Sequence, residues 1–232
     1  MINNNKICVF DFETDGSDPR TCSPVQIAAL IIDPIHLEVV DGSELNLFFK
    51  PEVLENNDNY TYETDILDFH SKVKGCSKDD ILKAWYNYPK QDHSWKMFVN
   101  YLEKYHSRSS KKSQFSAPIA AGYNINRFDL NIVERLSNKY GNLNKEQRTD
   151  LFYPRDVVDA MNLVFYWFEH NNELKSYTLD SLREYFGISK DGAHDALKDV
   201  KDTAAIIIRF LKLHRNLGQK VKFKNSFTEN ND

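Results

Sequence analysis

Three apolar segments stand near the start of the chain, at 6–13, 25–32 and about 44–49. Turn punctuation separates them at Asp15-Gly16, Pro19, Asp33-Pro34 and Asp41-Gly42. Short connections of this kind favour antiparallel neighbours, so the segments read as a three-strand meander. The first segment carries an anomaly. Ile7, Cys8 and Val9 lead into Phe10-Asp11-Phe12-Glu13-Thr14-Asp15, which has carboxylates where a buried strand should have none.

Strand periodicity divides that stretch. Residues i and i+2 share a face, so Asp11 and Glu13 project together while Phe10 and Phe12 pack behind them. Two adjacent like charges are costly, and partial burial raises the cost. One remedy is a strand end open to water. The other is a bound cation, because carboxylate oxygens are hard ligands suited to Mg²⁺ or Mn²⁺.

The rest of the chain reads as one α/β unit. A polar stretch after Pro51 (residues 55–59) reads as loop, and helical patterns follow at about 78–85 and 93–106, with Ser77 and Asp80 spaced as an N-terminal cap. Ser107 to Ser116 is Ser- and Lys-rich and reads as a solvated loop; its functional alternative is a basic arm, carrying Lys111 and Lys112, that touches phosphates. Residues 117–123 read as a strand, and helical patterns recur at 129–140, 157–170, 178–186 and 195–215. Residues 1–216 make one domain on this reading, and 217–232 a polar tail that frays.

Two further stretches carry candidate chemistry. In Gly122-Tyr123-Asn124-Ile125-Asn126-Arg127-Phe128-Asp129 a strand leaves the sheet and Asp129 falls at a helix start, where an acid also suits the free N–H groups. Tyr123 and Phe128 could stack on bases, although aromatics beside a strand more often fill a core. In the segment from Gly192 to Thr203, a Gly-bearing loop runs into a strongly apolar helix, with His194 before its first turn and Asp199 on it.

Taken in order, these residues spell Asp-x-Glu, Asn-x-x-x-Phe-Asp and His-x-x-x-x-Asp. The set resembles the DEDDh family of 3′-to-5′ exonucleases, and within it the catalytic domain of bacterial exonuclease I, over roughly residues 6–211. The resemblance implies an RNase H-like α/β fold, a mixed sheet with the antiparallel meander, flanked by helices. It also implies that Asp11, Glu13, Asp129 and Asp199 hold two divalent ions, Mg²⁺ or Mn²⁺, across a scissile phosphate. His194 then resembles the general base, with Glu13 also in the catalytic set; Thr14 matches a position that contacts the terminal nucleotide, and Asn124, also expected to bind nucleic acid, matches the polar residue before Phe-Asp. In the sister subgroup a Tyr stands four positions before the last Asp; here that residue is Asp195, which favours His194.

The chain also departs from the pattern. Position 15 is Asp where many members have Thr, which puts close sugar or phosphate contacts there in question, and Thr178 stands where exonuclease I carries Arg. The matching ends near Leu211, so high processivity is not implied.

Composition sets outer bounds. Three cysteines, Cys8, Cys22 and Cys76, without C-x-x-C spacing suggest reduced thiols, and a formal charge of -4 argues against a generally basic nucleic-acid coat. The first residues lack a secretory pattern and no run approaches the ~18 apolar residues of a membrane span, so a soluble cytoplasmic protein with no membrane partner is expected. The expected activity is hydrolysis of DNA from a free 3′ end, preferably single-stranded, to 5′ mononucleotides. An exoribonuclease on the same scaffold is the alternative, and a proofreading or docking module for a replication or repair protein is the reading of a different class.

Overall fold

The computed structural model describes residues 5–57, 61–62, 64–106, 118–141, 151–170 and 172–221. Strand β1 (Ile7–Thr14) pairs antiparallel with β2 (Pro24–Asp33), placing Ile7 opposite Ile32 and Phe12 opposite Ile27, and the register shifts between Glu13 and Thr14. The far edge of β2 is shared: β3 (Glu38–Val39) covers its end at Ile32 and Asp33, and β4 (Leu45–Phe48) covers Gln26 to Ala29. The expected meander is therefore present, with the two-residue β3 added to it. On the other side of β1 lie β5 (Ile119–Gly122) and then β6 (Val157–Asp159), both parallel, which makes the sheet mixed.

The helices are α1 (Glu52–Asn56), α2 (Thr64–Lys74), α3 (Lys78–Asn87), α4 (Gln91–Lys104), α5 (Asp129–Tyr140), α6 (Ala160–Phe168), α7 (Leu179–Phe186) and α8 (Ala196–Lys220). Ser77 and Asp80 close the expected capping box on α3. Thr178 caps α7 and a left-handed Gly187 ends it. Three readings need correction. Residues 157–159 are a strand rather than the first turn of a helix, because the β-branched pair Val157-Val158 pairs with the open edge of β5 and Asp159 then caps α6. Part of the stretch read as loop after Pro51 is the short α1. Helix α8 continues past 215, through Gly218, to Lys220. The Ser- and Lys-rich stretch with Lys111 and Lys112, and residues 222–232 of the tail, lie outside the described residues.

Each face of β1 meets a different layer. Cys8, Phe10 and Phe12 join Phe49, Trp95 and Phe98, with Ile132 and Leu136 of α5, in an aromatic core where Phe10 stacks on Phe152 at 5.2 Å. Burying each such ring is worth about 1.5–3 kcal/mol. Ile7 and Val9 face the other way and pack with Ala28, Leu30 and Ile32 against Ala196, Val200, Ala204 and Ile207 of α8. Asp11 and Glu13 continue this second face beyond the apolar contact, so alternation alone carries them to the end where α8 begins.

Candidate active site

Helix α8 starts behind Asp195, whose carboxylate accepts the N–H groups of Leu197 and Lys198, and this puts Asp199 in the first turn. There it meets the two acids of β1. One carboxylate oxygen each from Asp11, Glu13 and Asp199 lie within 4.8 Å of one another.

Asp129 arrives from the other layer. Strand β5 pairs with β1 only as far as Val9 opposite Ala121, so the β1 edge beyond that point is free of strand. The chain leaves at Gly122, where a Cβ would stand 2.9 Å from the Phe10 carbonyl oxygen and 3.0 Å from Ile125, a closeness that only glycine accepts. It then turns into α5, and the buried Asp129 carboxylate accepts the Phe12 N–H at 2.9 Å.

The electrostatics of the four acids are those of a crowded anionic site. Burial pushes Asp11 well above the usual carboxylate range, and Asp129, Glu13 and Asp199 push it further. Burial and Asp199 raise Glu13 to about 8 against the opposing Lys74 ammonium. Burial raises Asp129 to about 7 despite the Phe12 N–H, and burial also raises Asp199, with Arg183 opposing. Hard oxygen donors this close, held in a state where full ionisation is costly, fit a divalent cation that would supply the missing positive charge.

His194 sits in the loop between α7 and α8 in a left-handed conformation (φ 65°), which aims its backbone N–H at Asp199 Oδ1, 3.2 Å away. Its half-exposed ring has Nε2 3.7 Å from Asp180 Oδ2 and meets the Phe69 ring edge-on at 6.0 Å. The histidine is thus brought beside the acid cluster, with its ring held between α7 and α2.

The expected nucleotide contacts fall into two groups. Thr14 lies at the cluster, its hydroxyl bonded to the Gly16 carbonyl and its own carbonyl 2.9 Å from His70 Nε2. Beside it opens a groove of about 340 Å³ lined by Glu13, Thr14, Ile66, Phe69 and His70. Asn124 adopts φ 58° and gives its N–H to Asp159, which also takes the side-chain amide of Asn126. Tyr123 commits its hydroxyl to the Tyr177 carbonyl, and the half-buried Phe128 packs on the aromatic core, so both rings serve packing. Asp15 turns inward: it accepts the Ser23 N–H at 2.6 Å and the Tyr62 hydroxyl at 3.0 Å, clasping the loop after β1.

Sequence reasoning passed over several residues that shape this site. Arg183 lies at 1% exposure among Asp180, Asp199 and Asp202. Lys74 reaches from α2 to Asp195 at 3.0 Å, close enough to act on Glu13. The i,i+3 spacing of Asp180 with Arg183 was a readable signal of pairing.

Residues 103–207, which include Asp129, His194 and Asp199, match the family model described as Exonuclease (RNase_T). The matched stretch is less than half of the chain and lies outside Asp11 and Glu13. The exonuclease I of Escherichia coli in complex with a dT13 oligonucleotide has the same fold, with a TM-score of 0.65 at 19% identity over 93% of this chain and 43% of that one. The exonuclease I of Methylocaldum szegediense aligns with a TM-score of 0.63 at 20% identity over 95% of this chain and 45% of its own. A PolC-type DNA polymerase III of Caldanaerobacter subterraneus subsp. tengcongensis is 24% identical over 212 residues, 91% of this chain. The chain thus spans less than half of each exonuclease I chain and 12% of the polymerase. The resemblance read from the three motifs and the α/β RNase H-like architecture both stand.

Proposed function

We propose that this chain is a metal-dependent 3′-5′ exonuclease that hydrolyses DNA, preferably single-stranded, to 5′ mononucleotides. The observation that carries the reading is the convergence of Asp11, Glu13 and Asp199 within 4.8 Å, beside an open groove and a histidine. Asp11, Glu13, Asp129 and Asp199 would hold two Mg²⁺ or Mn²⁺ ions. Bound there, the ions would offset charge developing on the phosphate and activate water.

The remaining work belongs to the chain's own residues. The terminal nucleotide would enter the groove between Thr14 and Phe69, where an aromatic ring and backbone carbonyls suit a base and a sugar. His194 would take a proton from the attacking water. The water oxygen then bonds to phosphorus, the bond from phosphorus to the 3′ oxygen of the penultimate sugar breaks, and the released nucleotide keeps a 5′ phosphate. An unpaired end would enter the groove more readily than a duplex, which is the ground for preferring single strands. The polymerase relative supports a replication or repair protein as a partner, and a cytoplasmic place is part of the same reading. No helix of the described residues is long and apolar enough to cross a membrane.

The test is digestion of matched 3′-labelled and 5′-labelled single-stranded DNA, duplex DNA and RNA with Mg²⁺ or Mn²⁺, against chelator and an Asp11→Ala control. Release of mononucleotides from the 3′ end of DNA supports the reading. Faster RNA hydrolysis would move it to an exoribonuclease. Hydrolysis that survives chelator or Asp11→Ala would overturn the site assignment.

A further inference from the structure

Helix α7 holds one of the least exposed side chains of the molecule, and it is an arginine. Arg183 is 1% exposed, and its three guanidinium nitrogens go to three carboxylates: Nη1 to Asp180 Oδ1 at 2.7 Å, Nη2 to Asp199 Oδ1 at 2.5 Å and Nε to Asp202 Oδ2 at 2.7 Å. The second carboxylate belongs to the acid cluster, and the first faces the His194 ring. Lys198 ties the remaining one to the loop before α8, donating to Asp202 at 2.5 Å and to the Ser189 carbonyl at 3.1 Å.

This arrangement does more than neutralise charge. Asp199 Oδ1 receives both Arg183 Nη2 and the His194 N–H, so Oδ2 is the oxygen left open to a cation. The same guanidinium fixes Asp180, the carboxylate against which the His194 ring rests. A planar fork can set three acids at once, whereas an ammonium acts as a single charged point.

We infer that Arg183 is a positioning residue: it sets which oxygen of Asp199 meets the metal and, through Asp180, where the His194 ring stands. The inference rests on the proposed metal-dependent reading of the site. At 1% exposure Arg183 would act through the carboxylates it bonds and not on the substrate itself.

Mn²⁺ titration of the full chain, read by electron paramagnetic resonance of the free ion, tests it alongside steady-state hydrolysis of single-stranded DNA. Arg183→Lys should weaken Mn²⁺ binding and lower kcat by about tenfold or more, as loss of a partner behind a metal ligand does, with KM little changed. Arg183→Met should lose more. Asp202→Asn, which loosens the fork without touching Asp199, should show a smaller loss of the same kind, and it decides the matter if Arg183→Met does not fold. Folded Arg183→Lys and Asp202→Asn proteins that bind Mn²⁺ and cleave DNA like the wild type would overturn the inference. A wild type that binds Mn²⁺ but cleaves nothing would sink the nuclease reading while the titration still judges Arg183; a wild type that binds no Mn²⁺ would overturn both.

Discussion

The backbone N–H of Phe12 donates to the carboxylate of Asp129, 117 positions further along the chain, at 2.9 Å. Through this bond the start of α5 is seated on the free edge of β1. The acid is thereby held against Asp11, whose proton affinity it raises. Asp129 is therefore both a brace between two elements and a source of repulsion.

Asp129→Asn separates those two parts. The amide oxygen can still accept the Phe12 N–H, so the brace survives while the buried charge is gone. In chelator the variant should melt at or above the wild-type temperature, and with Mg²⁺ its hydrolysis of single-stranded DNA should fall by about a hundredfold or more. Thermal melts paired with steady-state assays check both halves.

The raised carboxylates make the metal-free protein sensitive to base. Glu13 is held at about 8 and Asp129 at about 7, above the ordinary values of 4.5 and 3.8 that the unfolded chain would show. Between those values the folded state binds more protons than the unfolded one. The stabilising contribution is complete below about pH 4 and is lost as pH rises through 7 to 8. In chelator the melting temperature should fall from pH 5 to pH 8, and Mg²⁺ or Mn²⁺ should raise it more at pH 8 than at pH 5. A metal-induced shift that is larger at pH 5 would contradict the acid cluster as the binding site.

His194→Ala should leave the cation site filled and the reaction slow. Loss of a general base costs about 10²- to 10⁴-fold in kcat, while Mn²⁺ affinity should stay within a few-fold of wild type because the backbone N–H to Asp199 is retained. Calorimetric Mn²⁺ binding beside kcat tells a base from a ligand.

Gly122→Ala probes the path of the chain rather than its chemistry. The added methyl would meet the Phe10 carbonyl oxygen at 2.9 Å, a backbone atom that cannot swing aside. The cost should be about 1–3 kcal/mol of stability, measured by denaturant unfolding. Activity should fall with it, since the same turn delivers Asp129.

The sequence was most legible where local rules and tertiary needs agree. Alternation in β1 assigned Asp11 and Glu13 to one face and Phe10 and Phe12 to the other, as found. The limits of α5 and the capping box of α3 also followed from short-range signals. Helix α2 escaped notice because few of its side chains are buried, Leu67 and His70 among them, so its apolar pattern is weak; yet it brings Phe69 to His194 and Lys74 to Asp195. Strand β6 was hidden because Val157-Val158 runs into α6 without a turn, and only the neighbouring edge of β5 decides its state. Arg183 drew no reading, since arginine is seldom buried and its burial comes from acids brought to it by α8.

Phe12 serves the fold with its ring and the site with its amide, and these two duties accept very different substitutions. The ring can be traded for another apolar side chain of similar volume, because the core asks only for bulk and shape. The N–H comes with every residue except proline. Descendants of this gene are thus free to respell the letter between Asp11 and Glu13 with little loss, while proline at that one position would unseat an acid from a distant helix.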